Sequence, residues 1–385
     1  MKNTLRGPTI PPFYADEIGK LAAIRNRAGL SVVSMNFGQP SEGAPAAAIE
    51  AAHHYLDHDV LGYFKSGELI ERLSLHYQQT YGVEIQADRF LLTSGASAGL
   101  VAAFSALFQA GDRVAIFKPG YPAYRNTLKA MGIIPVEIQC GEEQQYQPTV
   151  EMIAALDPKP EGLILASPAN PTGVMLSETV FSDIIDYCRD HHIYLISDEI
   201  YHGITFGNNA ASALQFDSNV VVINSFSKLY RMPGWRLGWL IAPRDWVDQL
   251  SACLINMFLT PPSLSQHAAL AAMGDQVGVN RSITQYRQNR DRLITGLAAL
   301  GIDRIAPPDG AFYLYANVDH ITADSLNFCK RAVIETGLAL APGIDFDPEL
   351  GHQFIRFSFA VSAHEIEQAL SLLADWLPHY ADERL

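Results

Sequence analysis

The sequence predicts an α/β protein: a large domain with a mostly parallel seven-stranded sheet sandwiched by helices, plus a smaller α+β domain built from both termini. Three observations predict it. Short apolar runs such as Ile193-Tyr194-Leu195-Ile196 and Val220-Val221-Val222-Ile223 recur along the chain. They are continuously apolar rather than alternating, as strands buried on both faces are. Helical segments separate them between about residues 90 and 275, and such β-then-α alternation marks a parallel sheet covered by helices. From residue 279 the pattern changes to a long polar-faced helix carrying Arg281, Arg287, Arg290 and Arg292, then to a sparser mixture.

Taken in order, residues 1–44 read as irregular with one helical segment, begun at Pro11-Pro12 and continued from Ile18 to Arg27. Gly38-Gln39-Pro40 is a turn. Pro45 stands in the first turn of a helix to about His58, where its missing N–H is no loss. A second helix spans 67–81 with Leu69, Leu73, Leu75 and Tyr77 inward. Strands are expected at 90–93, 113–117, 134–138, 162–166, 193–197, 220–224 and 236–241. Helices are expected at 96–109, 121–131, 149–156, 177–191 and 245–258. A connector helix at 280–300 leads to a strand at 311–316, a helix at 323–336, strands at 338–341 and 354–359 and a helix at 363–377. The division is a large domain at 45–280 and a small domain made of 1–44 and 281–385.

Composition excludes several classes. With 48% hydrophobic and 18% charged residues the chain of 385 residues is an ordinary folded protein, not a disordered one. A net charge of −14 with no basic run argues against nucleic acid. Cys140, Cys188, Cys253 and Cys329 show no CxxC spacing and fit free thiols in a reducing compartment. The stretch from Met1 to Pro8 lacks an apolar leader core and no run reaches membrane-spanning length, so a cytoplasmic protein is expected. His54 and His58 stand four apart on one helix, but without the HExxH context no metal is expected.

The chemistry is carried by the loops after the strands, where ligands bind in an open α/β sheet. Lys228 lies just past the 220–224 strand, among Phe226, Leu229, Tyr230, Met232 and Trp235 and near Arg231 and Arg236. Apolar surroundings and cationic neighbours both favour a neutral amine, a nucleophile for carbonyl compounds. Ser94-Gly95-Ala96-Ser97 opens a helix with small residues, a seat for one phosphate or a plain tight turn. Tyr121 offers a ring face. Asn170 is aimed by the flanking Pro168 and Pro171 or makes local turn bonds. Asp198, at the end of a buried strand, needs a partner: a cationic ligand nitrogen, a helix cap or an ion pair. Arg356 stands in mid-strand among apolar residues and calls for a carboxylate, either a ligand's or the protein's own. Ser225-Phe226-Ser227-Lys228 also fits the S-x-x-K nucleophile motif, but S-D-N and K-T-G do not follow it.

Together these residues ask for one planar ligand with a phosphate, a ring nitrogen, a ring oxygen and an aldehyde, which are the features of pyridoxal 5′-phosphate. The ordered set Ser167-Pro168-Ala169-Asn170-Pro171-Thr172-Gly173, Ser197-Asp198-Glu199-Ile200-Tyr201, Ser225-Phe226-Ser227-Lys228 and Gly234-Trp235-Arg236-Leu237-Gly238 resembles the class I/II aminotransferases of fold type I. The resemblance runs from about Asn36 to Arg356. It implies that Lys228 holds pyridoxal 5′-phosphate as an internal aldimine and moves the proton during a ping-pong exchange between an L-amino acid and a 2-oxo acid. Asp198 would keep the ring nitrogen protonated, Asn170 and Tyr201 would contact the phenolic oxygen, and Tyr121 would stack on the ring. Ala96, Ser97, Ser225, Ser227 and Arg236 would hold the phosphate. Arg356, with Gly38 and Asn170, would bind the substrate carboxylate. Tyr63 matches a position that reaches a phosphate across a dimer interface, which implies a homodimer with shared sites. Arg231 stands where the family commonly has a small residue and would add a charge near the phosphate or the pocket mouth. No second Arg for a dicarboxylate side chain is matched, and Phe13, Tyr14, Phe64 and Tyr124 point to an apolar or aromatic side-chain pocket. The alternatives on the same scaffold are a C–S β-lyase or a decarboxylase, and outside enzymes a pyridoxal-phosphate-binding regulator.

Overall fold

Each apolar run becomes a strand that divides its side chains between two cores. Leu163 and Leu165 face one side of the central sheet and Ile164 the other; Val222 and its neighbours Val221 and Ile223 divide the same way. The structure is a computed structural model and describes residues 7–382. Residues 1–6, part of the stretch read for a leader, lie outside the described residues, as do 383–385 of the small domain.

The central sheet holds β2 (Phe90–Thr93), β3 (Arg113–Lys118), β4 (Ile134–Gln139), β5 (Gly162–Ala166), β6 (Tyr194–Asp198), β7 (Val221–Ser225) and β8 (Gly238–Ile241), after the short β1 (Val33–Ser34). Its order is β2-β8-β7-β6-β5-β3-β4. Only β8 runs against its neighbours, so the sheet is the mostly parallel seven-stranded one expected. The helices of the N-terminal two-thirds are α1 (Tyr14–Arg27), α2 (Ala46–His58), α3 (Gly67–Tyr81), α4 (Ala96–Leu107), α5 (Pro122–Ala130), α6 (Val150–Ala154), α7 (Glu178–Asp190), α8 (Val247–Phe258) and α9 (Ser263–Ala272). Local signals set several ends: Ser66 caps α3 through Leu69 N–H and Gly82 closes it at φ +70°.

The connector is α10 (Gln276–Ala299), capped by Asp275. Beyond it lie β9 (Tyr313–Asn317), α11 (Ser325–Glu335), β10 (Leu338–Ala339), β11 (Ala341–Pro342), β12 (Phe354–Ser358) and α12 (Ala363–Asp382). β11, β12 and β9 form an antiparallel sheet. β1 pairs in parallel with β10, and Ile18, Val33 and Met35 share a core with Phe328, Leu338 and Ile355. The N-terminal segment therefore packs with the C-terminal part.

Three differences from the expected elements have physical causes. The strand expected from residue 236 starts at Gly238, because Arg236 is in the left-handed region at φ +52°. The strand expected at 338–341 splits, with Leu338–Ala339 serving β1 and Ala341–Pro342 serving β12. Helix α9 was not foreseen, since its run Ala268-Ala269-Leu270-Ala271-Ala272 is apolar all round and shows no stripe. Among the described residues no helix is long and apolar enough to cross a membrane.

Candidate active site

The carboxyl ends of β2, β3, β5, β6 and β7 open onto one cavity of about 260 Å³. Gly38, Ala96, Ser97, Tyr121, Asn170 and Asp198 line it, as do Tyr201, Ser227, Lys228, Arg236 and Arg356. The fold brings these together from the loops after five sheet strands, the turn at Gly38 and strand β12.

Lys228 follows β7 by three residues, and its Nζ donates to the Gly38 carbonyl at 2.5 Å. Glycine at 38 is required by a different contact, since a β-carbon there would meet the Tyr313 hydroxyl. The amine pKa is pushed down to about 8, chiefly by burial and then by Arg356, with Asp198 opposing and Arg236 assisting. A far larger share of the amine is therefore neutral near pH 7 than for an ordinary lysine.

Asp198 is the last residue of β6 and is buried. Tyr124 donates its hydroxyl to Oδ2 at 2.5 Å and the Ile200 N–H binds Oδ1 at 3.1 Å. Burial raises its pKa, while these two donors and Lys228 lower it. No cation among the described residues lies at ion-pairing distance, so the ion-pair alternative fails and the carboxylate remains available to a cationic ligand group. Tyr124, which the sequence suggests for the side-chain pocket, is thus the partner of Asp198.

Arg356, in β12, is only 2% exposed. Its Nη1 donates to Asn170 Oδ1 at 2.9 Å and its Nη2 to the Asn36 carbonyl at 2.6 Å. The guanidinium lies 4.4 Å from the Tyr313 ring centroid and 4.7 Å from that of Phe346. Both oxygens are neutral, no carboxylate among the described residues pairs with it, and its Nε has no partner. The protein's own salt bridge is thus excluded, and a buried guanidinium faces the cavity with charge to spare.

On the opposite wall, Gly95 takes φ +77° and brings the chain against Arg236; a β-carbon would collide with that guanidinium. Among the described residues Arg236 donates only to the Pro233 and Ser94 carbonyls, at 2.9 and 3.4 Å. The first N–H groups of α4 have no partners within the helix, so Ala96 and Ser97 add donors beside this cation. Tyr201 Oη lies 2.7 Å from Tyr313 Oη, which makes Tyr313 a second unforeseen member of the site.

The family model for aminotransferase class I and II matches residues 31–373. The chain belongs to this family. The valine–pyruvate aminotransferase of Mycobacterium tuberculosis is 44% identical over 379 residues, 96% of this chain and 97% of that protein. The crystal structure of an aminotransferase from Mycobacterium tuberculosis superposes with a TM-score of 0.95 at 42% identity, covering 98% of this chain and 100% of that one. The aspartate aminotransferase of Thermus thermophilus with maleate gives 0.89 at 26% identity, covering 96% and 100%. This protein is an aminotransferase.

Five expected positions in the aminotransferase lie elsewhere than the cavity: Tyr14 and Phe64, expected in the side-chain pocket, and Ser225, Tyr63 and Arg231. Ser225 does not line it: its hydroxyl accepts from the Ser227 N–H at 3.0 Å and bonds Ser227 Oγ at 2.8 Å and the Leu237 carbonyl at 3.0 Å. It steadies the loop that presents Ser227. Tyr63 is 82% exposed on the outer surface, away from its own chain's cavity. Arg231 is buried and committed: it bonds Glu42 at 3.0 Å, lies 3.6 Å from Asp275 and donates to Ser282. The expected extra charge at the pocket mouth is therefore neutralised by two carboxylates.

Behind the aminotransferase site, Glu199 and His202 form a buried pair at 3.4 Å. Burial pushes Glu199 up and His202 down, so it works against a charged pair at this contact. His202 Nε2 must donate to the Ser167 carbonyl at 3.0 Å, so Nδ1 accepts from Tyr81 at 2.8 Å. Glu199 Oε1 meanwhile accepts from Ser197, Ser212 and the Ala213 N–H. Glu199→Gln copies the protonated acid and is expected to cost less than about 1 kcal/mol, whereas Glu199→Ala strands those donors and costs about 3 kcal/mol. Urea denaturation measures both; equal losses would show that the acid is ionised.

Proposed function

We propose that the enzyme moves an amino group between an L-amino acid and a 2-oxo acid with pyridoxal 5′-phosphate held at Lys228. One observation carries this reading: a part-buried amine and, among the described residues, a carboxylate without a cation and two guanidiniums without carboxylates face a single cavity. The residues fit the cofactor. Asp198 suits a ring N–H⁺, Arg236 with Ser227 and the amides of Ala96 and Ser97 suits a phosphate, and Tyr121 gives a ring face. When bound, the cofactor supplies an aldehyde to join the amine and a protonated ring that draws electrons from the substrate Cα.

The chain's own residues then have distinct tasks. Lys228 Nζ takes up the proton that the substrate Cα releases, and its depressed pKa suits it to act as a base near neutral pH. Arg356 binds the substrate carboxylate, with its fork oriented by Asn170 and Asn36. Tyr201, bonded to Tyr313, would hold the ring oxygen of the cofactor together with Asn170. Gly38 leaves room for the Tyr313 hydroxyl that bonds Tyr201. Asp198 keeps the ring cation paired.

The preferred substrate is a neutral amino acid with an apolar side chain. Phe13, Phe37, Leu100, Ile200 and Pro233 line the cavity, and Arg231 is unavailable for a second carboxylate. The name of the valine–pyruvate relative points the same way. Exposed Tyr63 is read as a group offered to a second copy's phosphate, in a homodimer, and the division at 45–280 and the cytoplasmic setting belong to the same proposal.

The test is borohydride reduction of the protein loaded with pyridoxal 5′-phosphate, followed by peptide mapping. The pyridoxyl group is expected on Lys228, and the rate at which the cofactor-free protein captures the aldehyde is expected to climb as pH approaches 8 and to level above it. A label on another lysine, or capture that levels only above pH 10, sinks the assignment.

A further inference from the structure

Helix α1 begins at Tyr14 without a cap of its own, for Phe13 makes no side-chain cap bond. Its first amides are bound from the far end of the chain. Tyr14 N–H donates to one oxygen of Asp345 and Ala15 N–H to the other, both at 2.8 Å. Asp345 is buried, and a carboxylate at a helix N-terminus also complements the dipole. The residue it fixes is the one just before the helix, Phe13, which lines the cavity although 36% exposed.

The same dipeptide meets two other walls of the site. Phe346 stacks on the Arg356 guanidinium, and its carbonyl accepts from Gly120 N–H at 3.0 Å, next to Tyr121. Arg125 donates to the Asp345 carbonyl at 3.1 Å. A second tie runs in parallel: Asn36 Nδ2 donates to the Ala15 carbonyl at 2.9 Å while its own carbonyl accepts from Arg356. The start of α1 is thus held at a set position relative to the carboxylate-binding guanidinium.

We infer that Asp345 is a specificity-determining positioning residue: by capping α1 it holds Phe13 at a fixed distance from Arg356 and so sets which substrate side chains the site favours. The substrate's carboxylate end is pinned at Arg356, so the apolar wall at Phe13 is met only by a side chain long enough to reach it. Releasing the wall removes contact from large side chains and leaves small ones unaffected. The inference rests on the transamination reading proposed above.

The experiment compares alanine, valine, leucine and phenylalanine as amino donors for the loaded enzyme and for Asp345→Asn and Phe13→Ala. Asp345→Asn keeps the shape but faces an amide group to one of the two helix N–H groups. In both variants the ratio of kcat/KM for leucine to that for alanine is expected to fall about five- to tenfold, through KM, with kcat changed less than about twofold. Hydrogen exchange at the Tyr14 and Ala15 amides is expected to speed up in Asp345→Asn only. An unchanged ratio in either variant, or an equal fall in kcat for all four donors, overturns the inference. Should Asp345→Asn fail to fold, Phe13→Ala decides, and an unchanged ratio there overturns it. A wild-type enzyme that transaminates none of the four sinks the proposed substrate class instead, whereas an active wild type with an unchanged ratio in the variants sinks only the role of Asp345.

Discussion

Replacing Lys228 with alanine is expected to lower kcat by more than about 10⁴-fold, because one side chain supplies both the covalent link and the base, and a positioned base alone is worth about 10²–10⁴. The loss falls on kcat rather than on substrate binding, since Arg356 and its partners Asn170 and Asn36 are untouched. The cofactor is still expected to bind, more weakly, through Arg236, Ser227 and Asp198. The fold is expected to persist: Nζ makes one bond, to the Gly38 carbonyl, and its removal relieves a buried cation. Single-turnover spectra of the variant mixed with amino acid measure the effect. A rate within tenfold of wild type would show that another group moves the proton.

Asp198→Asn is expected to cost about 10²–10³-fold in kcat, the range for removing one preorganised charge from a reaction centre. The shape is kept, and Tyr124 can still donate to the remaining oxygen. What disappears is the charge. Burial alone raises the Asp198 pKa, and a ring cation at bonding distance pulls it back into the ionised range; asparagine cannot make that exchange. The neutral residue leaves the ring nitrogen unprotonated and weakens its pull on the substrate electrons. Steady-state kinetics together with the cofactor's absorption spectrum check this. A variant with near wild-type kcat would remove Asp198 from its role.

The sequence showed most of the sheet because its strands are buried on both faces and cannot be anything but apolar. Asp198 and Asn170 were legible for the converse reason: polar residues at the ends of such strands need a purpose. Arg356 stood out as a charge within an apolar run, and the resemblance supplied the shared role of these positions. Tyr124, Tyr313 and Asn36 were not legible in this way. Each makes an ordinary residue type important through a contact between elements distant in sequence, such as Tyr313 from β9 against Tyr201 after β6. Arg231 was misjudged because its carboxylate partners, Glu42 and Asp275, come from opposite sides of the chain. Ser225 shares its loop with Ser227, and only geometry separates the hydroxyl that faces the cavity from the one that braces it.

The bond from Arg356 to the Asn36 carbonyl joins residues 320 apart in sequence. It gives the site an order of assembly. A chain emerging from its N-terminus has made every strand of the central sheet, Asp198 and Lys228 included, before β10, β11 or β12 exists. The half that grips the cofactor can therefore close early, on its own core. The half that recognises the amino acid waits for the last residues to return to the first, and the Asn36 carbonyl and the Tyr14 and Ala15 amides wait for Arg356 and Asp345 until they do.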